Sequence, residues 1–318
     1  MHTILGAGGS IGRQLAWELL RAGNRVRLVG RNPENIGESV ETMSADISNL
    51  DQTIKAVSGS SIVYLVVGLK YDLNIWRALW PRIMRNTIEA CKRANAKLVF
   101  FDNVYMYGLV NGVMTEETPF NPCSKKGQVR AEIAAVLLEE VRAGNLIALI
   151  ARSADFYGPD AKNGVPNVLV LDRFAGGRSA MWLVNDSAKH SLTFTPDAVR
   201  SLALLAGSER AWNHTWHVPT APDPPTGKEL IQMAAGEFGV APKYRVLTKP
   251  MIRVAGWFDR TVRESYEMLY QSEHDYIFDS TKFQKAFNFE PTAYAEGVRI
   301  ASAGLKKRQA TGGNSAEP

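Results

Sequence analysis

Short apolar runs alternate with amphipathic helical patterns along the first 155 residues. The predicted strands lie near residues 3–6, 25–30, 62–67, 97–102 and 146–151, with a weaker strand at 41–43. The predicted helices span about 11–22, 51–58, 75–94 and 124–142. The run 62–67 is apolar at every position, as expected of a parallel strand covered by helices on both faces. This alternation predicts an α/β fold of the Rossmann type, built on a doubly wound parallel sheet.

The pattern changes after residue 155, where proline and glycine become frequent and the helical patterns shorten. We therefore divide the chain into a Rossmann domain (1–155), to which elements near 190–217 return, and a smaller, interleaved C-terminal subdomain (156–305) that mainly binds substrate. A disordered tail (306–318) is expected to follow. Four aromatic residues of this second part belong either to a lid or pocket wall or to the core: Trp257, Phe258, Tyr266 and Tyr270.

Composition and charge narrow the class of protein without naming a ligand. The 318 residues carry a formal net charge of +5, and outside a cluster at Lys306–Arg308 the basic and acidic residues look mixed. No stripe of basic and aromatic residues predicts a nucleic-acid partner. No apolar run is long enough to span a bilayer, and the first strand begins almost at once, so neither a membrane partner nor a leader segment is expected. Two cysteines suggest free thiols in a reducing compartment, and hence a cytoplasmic protein.

A glycine-rich turn joins the first predicted strand to the first predicted helix. Gly6 permits the tight turn, Gly9 lets the backbone approach a pyrophosphate, and Gly12 allows close packing of the helix on the strand. The free N–H groups of Ser10 and Ile11 face the same position, where the helix dipole favours an anion. This turn predicts the binding site of a nicotinamide dinucleotide.

The end of the second predicted strand bears on the choice of dinucleotide. NAD-binding folds usually place a carboxylate there for the ribose 2′-hydroxyl, whereas this chain has Arg31 and Asn32. A guanidinium favours the 2′-phosphate of NADP through charge-assisted hydrogen bonds, so we expect NADP rather than NAD. Asp46 and Ile47, after the third strand, are expected where the adenine edge is read, although Asp46 also fits a solvated loop aspartate.

The chain resembles the extended short-chain dehydrogenase/reductase family, in its branch of NAD-dependent epimerases and dehydratases. Tyr105–Gly108 is similar to the V-Y-G turn of the family, Arg152–Pro159 to its R-x-x-N-x-Y-G-P segment, and Ser191–Val199 to a later motif. The resemblance implies cofactor contacts at Val67, Ser153 and Ala154. It also implies that relatives pair the helices near 75–94 and 124–142 into a homodimer. Apolar residues that fit either this pairing or packing on the sheet are Met84, Ile88, Cys91, Val129, Ile133 and Val136.

The residues expected to carry the chemistry depart from the family pattern. Asn103 replaces the active serine or threonine, and the Y-x-x-x-K motif aligns with Lys126 and Arg130. Arg130 can bond the ribose hydroxyls but cannot act as a base. Lys126, beside Arg130 and an oxidised nicotinamide, would lose its proton more easily and become a candidate acid, the alternative being a solvated lysine at a helix end. Tyr105 is a second candidate acid.

Two further candidates concern the substrate. Asn103 is a candidate donor to a carbonyl or to its developing oxyanion. Asp155 replaces the asparagine that helps hold a nucleotide-sugar diphosphate in the family, and its carboxylate suits a neutral or cationic small molecule better. No metal site is expected, because His214 and His217 lie on opposite faces of a predicted strand and no acidic or cysteine cluster completes a ligand set.

Three functions remain open at this point. The leading hypothesis is an NADP-dependent oxidoreductase that transfers hydride between nicotinamide and a small carbonyl or alcohol substrate. The second is an isomerase or lyase similar to the nucleotide-sugar epimerases and dehydratases, which removes a hydride from its substrate and returns it. The third is a sensor or regulator that binds the dinucleotide without catalysis, which the missing tyrosine favours.

Overall fold

The structure, a computed structural model, describes residues 1–37 and 39–310. Its strands are β1 (His2–Leu5), β2 (Val26–Gly30), β3 (Val40–Ser44), β4 (Ile62–Leu65), β5 (Lys97–Asp102), β6 (Val113–Met114), β7 (Ala148–Arg152), β8 (Asp155–Tyr157), β9 (Ala180–Leu183), β10 (Leu192–Phe194), β11 (Thr215–His217), β12 (Tyr244–Leu247) and β13 (Ile277–Phe278). Its α-helices are α1 (Ser10–Arg21), α2 (Leu50–Val57), α3 (Leu73–Ala94), α4 (Lys125–Arg142), α5 (Asp172–Ala175), α6 (Thr195–Ala206), α7 (Gly227–Phe238), α8 (Lys249–Ala255), α9 (Arg260–Ser265), α10 (Thr281–Phe287) and α11 (Tyr294–Ala310).

Seven of these strands form the central sheet in the order β11-β7-β5-β4-β1-β2-β3, and every pair is parallel. The order reverses direction between β1 and β4, which opens a crevice at the carboxyl ends of these two strands. The predicted fold class is confirmed. The predicted strands and helices lie within about two residues of those observed, as is usual for strongly periodic segments.

Both faces of the central sheet are buried, which explains why its strands are apolar at consecutive positions. Alternate residues point to opposite sides, so Ile4 belongs to one apolar cluster and Leu5 to the other. The cluster around Ile4 contains residues of α1 and α6, while that around Leu5 contains residues of α3 and α4. Each fully buried leucine or isoleucine contributes about 1.5–3 kcal/mol to this packing.

The second part of the chain has its own apolar cluster, in which Trp182, Leu230 and Val298 are buried together. Outside the central sheet, three short pairs of parallel strands are formed by β8 with β10, β9 with β12, and β6 with β13. Helix α7 begins at a capping box, in which Thr226 and Glu229 each bond the other's backbone N–H. Before α7, the chain returns to the central sheet through β11, which pairs with β7.

Several expectations for individual residues are corrected by the structure. The tail expected to be disordered from residue 306 is helical as far as Ala310, and residues 311–318 lie outside the described residues. Trp257 and Phe258 are not core residues, because 72% and 87% of their surfaces are exposed. The residues proposed for a dimer interface are buried within the chain, except half-buried Val136, and pack toward the sheet. Among the described residues, no helix is both long and apolar enough to cross a bilayer.

A buried chain of hydrogen bonds fastens β11 to its neighbours. Arg152 donates from Nη1 to the hydroxyl of Tyr107 at 2.7 Å, and that hydroxyl lies 2.8 Å from Nε2 of His217. The Nδ1 atom of His217 lies 2.7 Å from the carbonyl oxygen of Asp279, to which it donates. Nε2 therefore accepts from Tyr107, and the imidazole is neutral. Burial lowers the pKa of His217 to about 3.

We expect this histidine to make the protein less stable in mild acid. Its pKa in the folded state lies below the ordinary value of 6.5, so the unfolded chain binds a proton first as the pH falls. The free energy of unfolding is therefore fully retained above about pH 6.5 and falls by up to about 1.4 kcal/mol per pH unit toward pH 3. Urea unfolding as a function of pH measures this slope. His217→Gln should flatten it, whereas His274→Gln, at an exposed histidine, should not; equal slopes in all three proteins would contradict the assignment.

Candidate functional site

The glycine turn after β1 leaves no room for side chains at two positions. Gly6 has a φ of +115°, and a Cβ atom there would lie 2.7 Å from backbone atoms of Val67, at the end of β4. A Cβ atom on Gly12 would lie 2.5 Å from the carbonyl oxygen of Gly6. Gly9 precedes α1, and no side chain caps this helix N-terminus. The turn therefore presents helix N–H groups at the edge of the crevice, where an anion is favoured.

A segment from the second part of the chain lies across this turn. Ser10 donates from Oγ to the carbonyl oxygen of Asp160, and Gln14 donates to that of Pro159 at 3.2 Å. The hydroxyl of Thr195 also donates to the carbonyl of Pro159, at 3.0 Å. Ser10, predicted as a cofactor contact, thus also binds the backbone of Asp160 through its hydroxyl group. This contact was not predicted, because nothing in the local sequence pattern relates the two segments.

The residues predicted to bind the adenosine half of the dinucleotide follow the ends of β2 and β3. Arg31 and Asn32 are exposed, and the backbone carbonyl of Arg31 accepts a hydrogen bond from Ser44 at 2.7 Å. Asp46 is also exposed, and hydrogen bonds from Ser48, with smaller contributions from nearby charges that include Arg31, hold its pKa below the usual value.

Ile47 is placed differently from its neighbour Asp46. Its side chain is buried in the core, and its carbonyl oxygen accepts hydrogen bonds from Thr53 and Asn86 at 3.0 and 3.1 Å. These bonds connect the end of β3 to α2 and α3. The side chain of Ile47 therefore supports this region from within the core.

Arg130 is held by a carboxylate at the end of β5. Its Nε donates to Oδ1 of Asp102 at 2.8 Å, its Nη2 bonds the same oxygen, and both side chains are almost fully buried. The guanidinium also lies over the ring of Trp80, 4.3 Å from its centroid. The group predicted to bond ribose hydroxyls is thus paired with Asp102, which neutralises its charge inside the protein.

Asn103 and Tyr105 form one structural unit after β5. Oδ1 of Asn103 accepts the backbone N–H of Tyr105 at 3.1 Å, which fixes the turn. The ring of Tyr105 stacks on Trp76 with a centroid distance of 6.3 Å, and its hydroxyl shares a hydrogen bond with Tyr71. Asn103 therefore orients Tyr105 through its amide oxygen.

Lys126 is buried and bound to carboxylates from a distant part of the chain. Its Nζ donates to Oε2 and the carbonyl oxygen of Glu264, at 2.7 and 2.8 Å, and to Oε1 of Glu267 at 3.0 Å. Only 1% of the side chain is exposed, so the alternative of a solvated lysine is wrong. The neighbours expected from the sequence were cations, whereas the observed ones are anions, and the ammonium is fully occupied as a donor.

The two carboxylates bound by Lys126 also accept backbone N–H groups at helix N-termini. Glu264 accepts from Leu73, the first residue of α3, at 2.9 Å, and Glu267 accepts from Lys125, the first residue of α4, at 2.8 Å. Burial opposes ionisation of Glu264, but the bonds from Lys126 and Leu73 hold its pKa below the usual value. We call this arrangement, formed by Lys126, Glu264 and Glu267, the lysine clamp. It fixes residues 264–267 against the ends of two helices of the Rossmann part.

Asp155 lies at the centre of a group of tyrosines and one histidine. Its Oδ2 is 3.0 Å from Nε2 of His190, and the imidazole stacks on Tyr276 with a centroid distance of 4.5 Å. Burial, and then the charge of Asp155, raise the pKa of Tyr105 well above its ordinary value, and the same two causes contribute at Tyr71 and Tyr276. These tyrosines are therefore protonated hydrogen-bond donors at neutral pH.

Three members of this group were missed by the sequence analysis. Tyr71 follows the carboxyl end of β4, a position that could have drawn attention in a parallel sheet. Neither His190 nor Tyr276 carries a local signal in the sequence. Ser153 and Ala154, predicted as cofactor contacts, are buried beside Asp155, and the hydroxyl of Ser153 donates to the carbonyl of Ala154.

Comparisons with known proteins agree with this architecture. A model of the NAD dependent epimerase/dehydratase family matches residues 2–217. UDP-glucose 4-epimerase of Thermus thermophilus, solved with NAD, is 18% identical, with a TM-score of 0.78 over 96% of this chain and 99% of that chain. UDP-glucuronic acid 4-epimerase from Bacillus cereus, also solved with NAD, is 14% identical, with a TM-score of 0.80 over 99% of each chain. A search of curated protein sequences found no match.

The lysine clamp predicts that Lys126 stabilises the fold. Lys126→Met removes the donor and leaves Glu264 and Glu267 without their cation, so we expect the free energy of unfolding to fall by about 3 kcal/mol. Urea unfolding at neutral pH measures the loss. Lys125→Met is the matched control: this neighbouring side chain is exposed, and its loss should change stability by less than about 0.5 kcal/mol. Equal effects of the two substitutions would show that the clamp is not stabilising.

Proposed function

Because the chain belongs to the NAD dependent epimerase/dehydratase family, whose model matches residues 2–217, we propose that it is an enzyme that oxidises and re-reduces a single substrate without consuming its dinucleotide. The resemblance inferred from the sequence motifs is thereby confirmed. Net NADP-dependent oxidoreduction was the leading hypothesis from the sequence, and this internal redox cycle was one of its alternatives. The family match supports the second hypothesis better, so the order is reversed.

The glycine turn is the observation that carries the proposal. Its backbone excludes a Cβ atom at Gly6 and Gly12, and it directs an uncapped helix N-terminus at the crevice, an arrangement that fits a pyrophosphate. When bound, the dinucleotide supplies a nicotinamide carbon that accepts a hydride and gives it back. The protein must provide orientation and groups that take up and return the proton.

The group around Asp155 is proposed to manage that proton. An alcohol that gives up a hydride must also release its hydroxyl proton, and the pair of Asp155 and His190 offers an acceptor. Tyr105, protonated and oriented by Asn103, is proposed to donate to the resulting carbonyl oxygen. Lys126 and Arg130 are not assigned to proton transfer, because both are committed to carboxylates.

The substrate proposed for this site is a polar alcohol or carbonyl compound. The named structural relatives act on UDP-sugars, but Asp155 brings a carboxylate close to the proposed reacting group. A negative charge there disfavours a diphosphate in direct contact, while hydroxyl groups or an amine are suitable partners. We therefore propose a neutral or cationic polyhydroxylated compound.

Net carbonyl reduction is the second candidate function, and one observation favours it. Burial raises the pKa values of Tyr71 and Tyr105, so both hydroxyls are protonated at neutral pH and can donate hydrogen bonds to the oxygen of a carbonyl that accepts a hydride. Isomer formation without loss of reduced dinucleotide identifies the internal cycle, and stoichiometric loss identifies the reductase. Dinucleotide binding with no turnover of any compound leaves only the sensor hypothesis.

Tyr105→Phe tests the role of the hydroxyl. With sugars, nucleotide sugars and simple carbonyl compounds as the substrate panel, we expect kcat/KM to fall by about a hundredfold or more, because a proton donor is lost. The dissociation constant of the dinucleotide should stay unchanged. Tyr244→Phe is the control, since that hydroxyl donates to Asp186 at 2.6 Å, away from the proposed site. Unchanged kcat/KM in Tyr105→Phe would remove Tyr105 from the mechanism.

Arg31→Ser tests the proposed preference for NADP. If Arg31 binds the 2′-phosphate, its loss should weaken NADPH binding by about tenfold or more and leave NADH binding unchanged. Quenching of protein fluorescence during titration gives both dissociation constants. Arg21→Ser, at an exposed arginine in the last turn of α1, is the control. Tighter binding of NADH than of NADPH by the unsubstituted protein would instead assign NAD.

A further inference from the structure

Helices α8 and α9 form a short hairpin that projects two aromatic side chains. Gly256 ends α8 where a Cβ atom would lie 3.1 Å from Cα of Arg263, so the two helices approach closely. Asp259 caps α9 by accepting the N–H groups of Thr261 and Val262. Between these points lie Trp257 and Phe258, which we call the aromatic tip. The tip is therefore held by a capped, closely packed turn.

The aromatic tip continues an apolar stripe along α8. Met251 and Val254 are separated by one helical turn and are 40% and 49% exposed, and the tip follows at the next turn. None of these four side chains belongs to an apolar cluster formed by the described residues. Consecutive large apolar side chains of this exposure are uncommon on a soluble surface and mark a contact site.

The segment of the chain that contains this stripe carries a surplus of positive charge. Residues 243–263 contain six cations and one carboxylate, a surplus of +5 that equals the formal charge of all 318 residues. The expectation that basic and acidic residues are evenly mixed outside Lys306–Arg308 is therefore wrong for this segment. Two of the cations are paired, Lys249 with Glu273 and Arg260 with Asp72. Four have no ion pair within the described residues: Lys243, Arg245, Arg253 and Arg263.

The nearby carboxylates of α9 and of the segment that follows do not offset this surplus. Glu264 and Glu267 are bound by Lys126 in the lysine clamp. The hairpin therefore presents apolar and cationic groups together, while its acidic neighbours are turned into the protein. Aromatic side chains flanked by Lys and Arg are typical of segments that lie in the interface of an anionic membrane.

We propose that the α8–α9 hairpin docks on the surface of a bilayer that contains anionic phospholipid, with Trp257 and Phe258 in the headgroup region and the free cations against the lipid charge. A membrane partner was not expected from the sequence, because no apolar run is long enough to span a bilayer, but contact with a membrane surface needs no such segment. A second copy of this chain is disfavoured as the occupant, because it would oppose two surfaces of the same charge. A nucleic acid would leave Met251 and Val254 without an apolar partner.

Vesicle flotation tests this proposal with the full-length protein. We expect it to float with phosphatidylcholine vesicles that contain phosphatidylglycerol, to bind less as salt is added, and to remain unbound with phosphatidylcholine alone. The double variant Trp257→Ser, Phe258→Ser should bind at least about tenfold more weakly. Arg253→Glu should weaken binding by about fivefold or more. Trp17→Ser and Arg21→Glu, both exposed on α1, are the matched controls and should bind as the unsubstituted protein does.

Several results would overturn the proposal. Equal flotation with both kinds of vesicle would show that lipid charge has no role. Equal losses of vesicle binding in the tip and α1 variants would show that the hairpin is not the binding surface. A sedimentation mass of two chains that falls to one in the tip variant assigns the surface to a second copy. Binding of the hairpin to polyglutamate or to duplex DNA but not to the anionic vesicles assigns it to an acidic protein or to a nucleic acid. Thermal melts of every variant establish that folding is unchanged.

Discussion

The rest of the site depends on two close backbone contacts, of Gly6 with Val67 and of Gly12 with Gly6. These contacts set the distance between β1, β4 and the first turn of α1, because neither glycine has space for a Cβ atom. The uncapped N–H groups of α1 consequently lie in the crevice where the strand order of the sheet reverses. The ends of β2, β5 and β7 converge on the same edge, so every candidate residue is placed relative to this turn.

The fold of the first 155 residues was accessible from sequence because its signals are local. Buried parallel strands are apolar at consecutive positions and their crossover helices are amphipathic, and both patterns survive without any knowledge of tertiary contacts. The partners of Lys126 were not accessible in this way. Glu264 and Glu267 come from a segment far along the chain, and nothing near Lys126 indicates that its charge is buried and neutralised. The contact between Ser10 and Asp160 is non-local in the same sense.

Lys126 and Arg130, which were aligned from the sequence with the tyrosine and lysine of the family pattern, form ion pairs inside the protein. Lys126 joins the second part of the chain to the N-termini of α3 and α4, and Arg130 pairs with Asp102 beneath the loop that carries Tyr105. A buried ion pair adds little net stability, yet removal of one partner is costly, so such positions are hard to change singly. The proton transfer that we propose therefore relies on Tyr105, after β5, and on the pair of Asp155, after β7, and His190.

The return of the chain to β11 has a consequence for how the polypeptide can be divided. The sheet is completed only after the chain has left β7, built part of the second lobe and come back. A fragment that ends at residue 155 would leave β7 as an open edge with unpaired N–H and C=O groups, and it would lose His217 from its bond with Tyr107. Neither lobe is therefore a self-sufficient folding unit, and a protease cut between them would separate two pieces that each lack part of their own core.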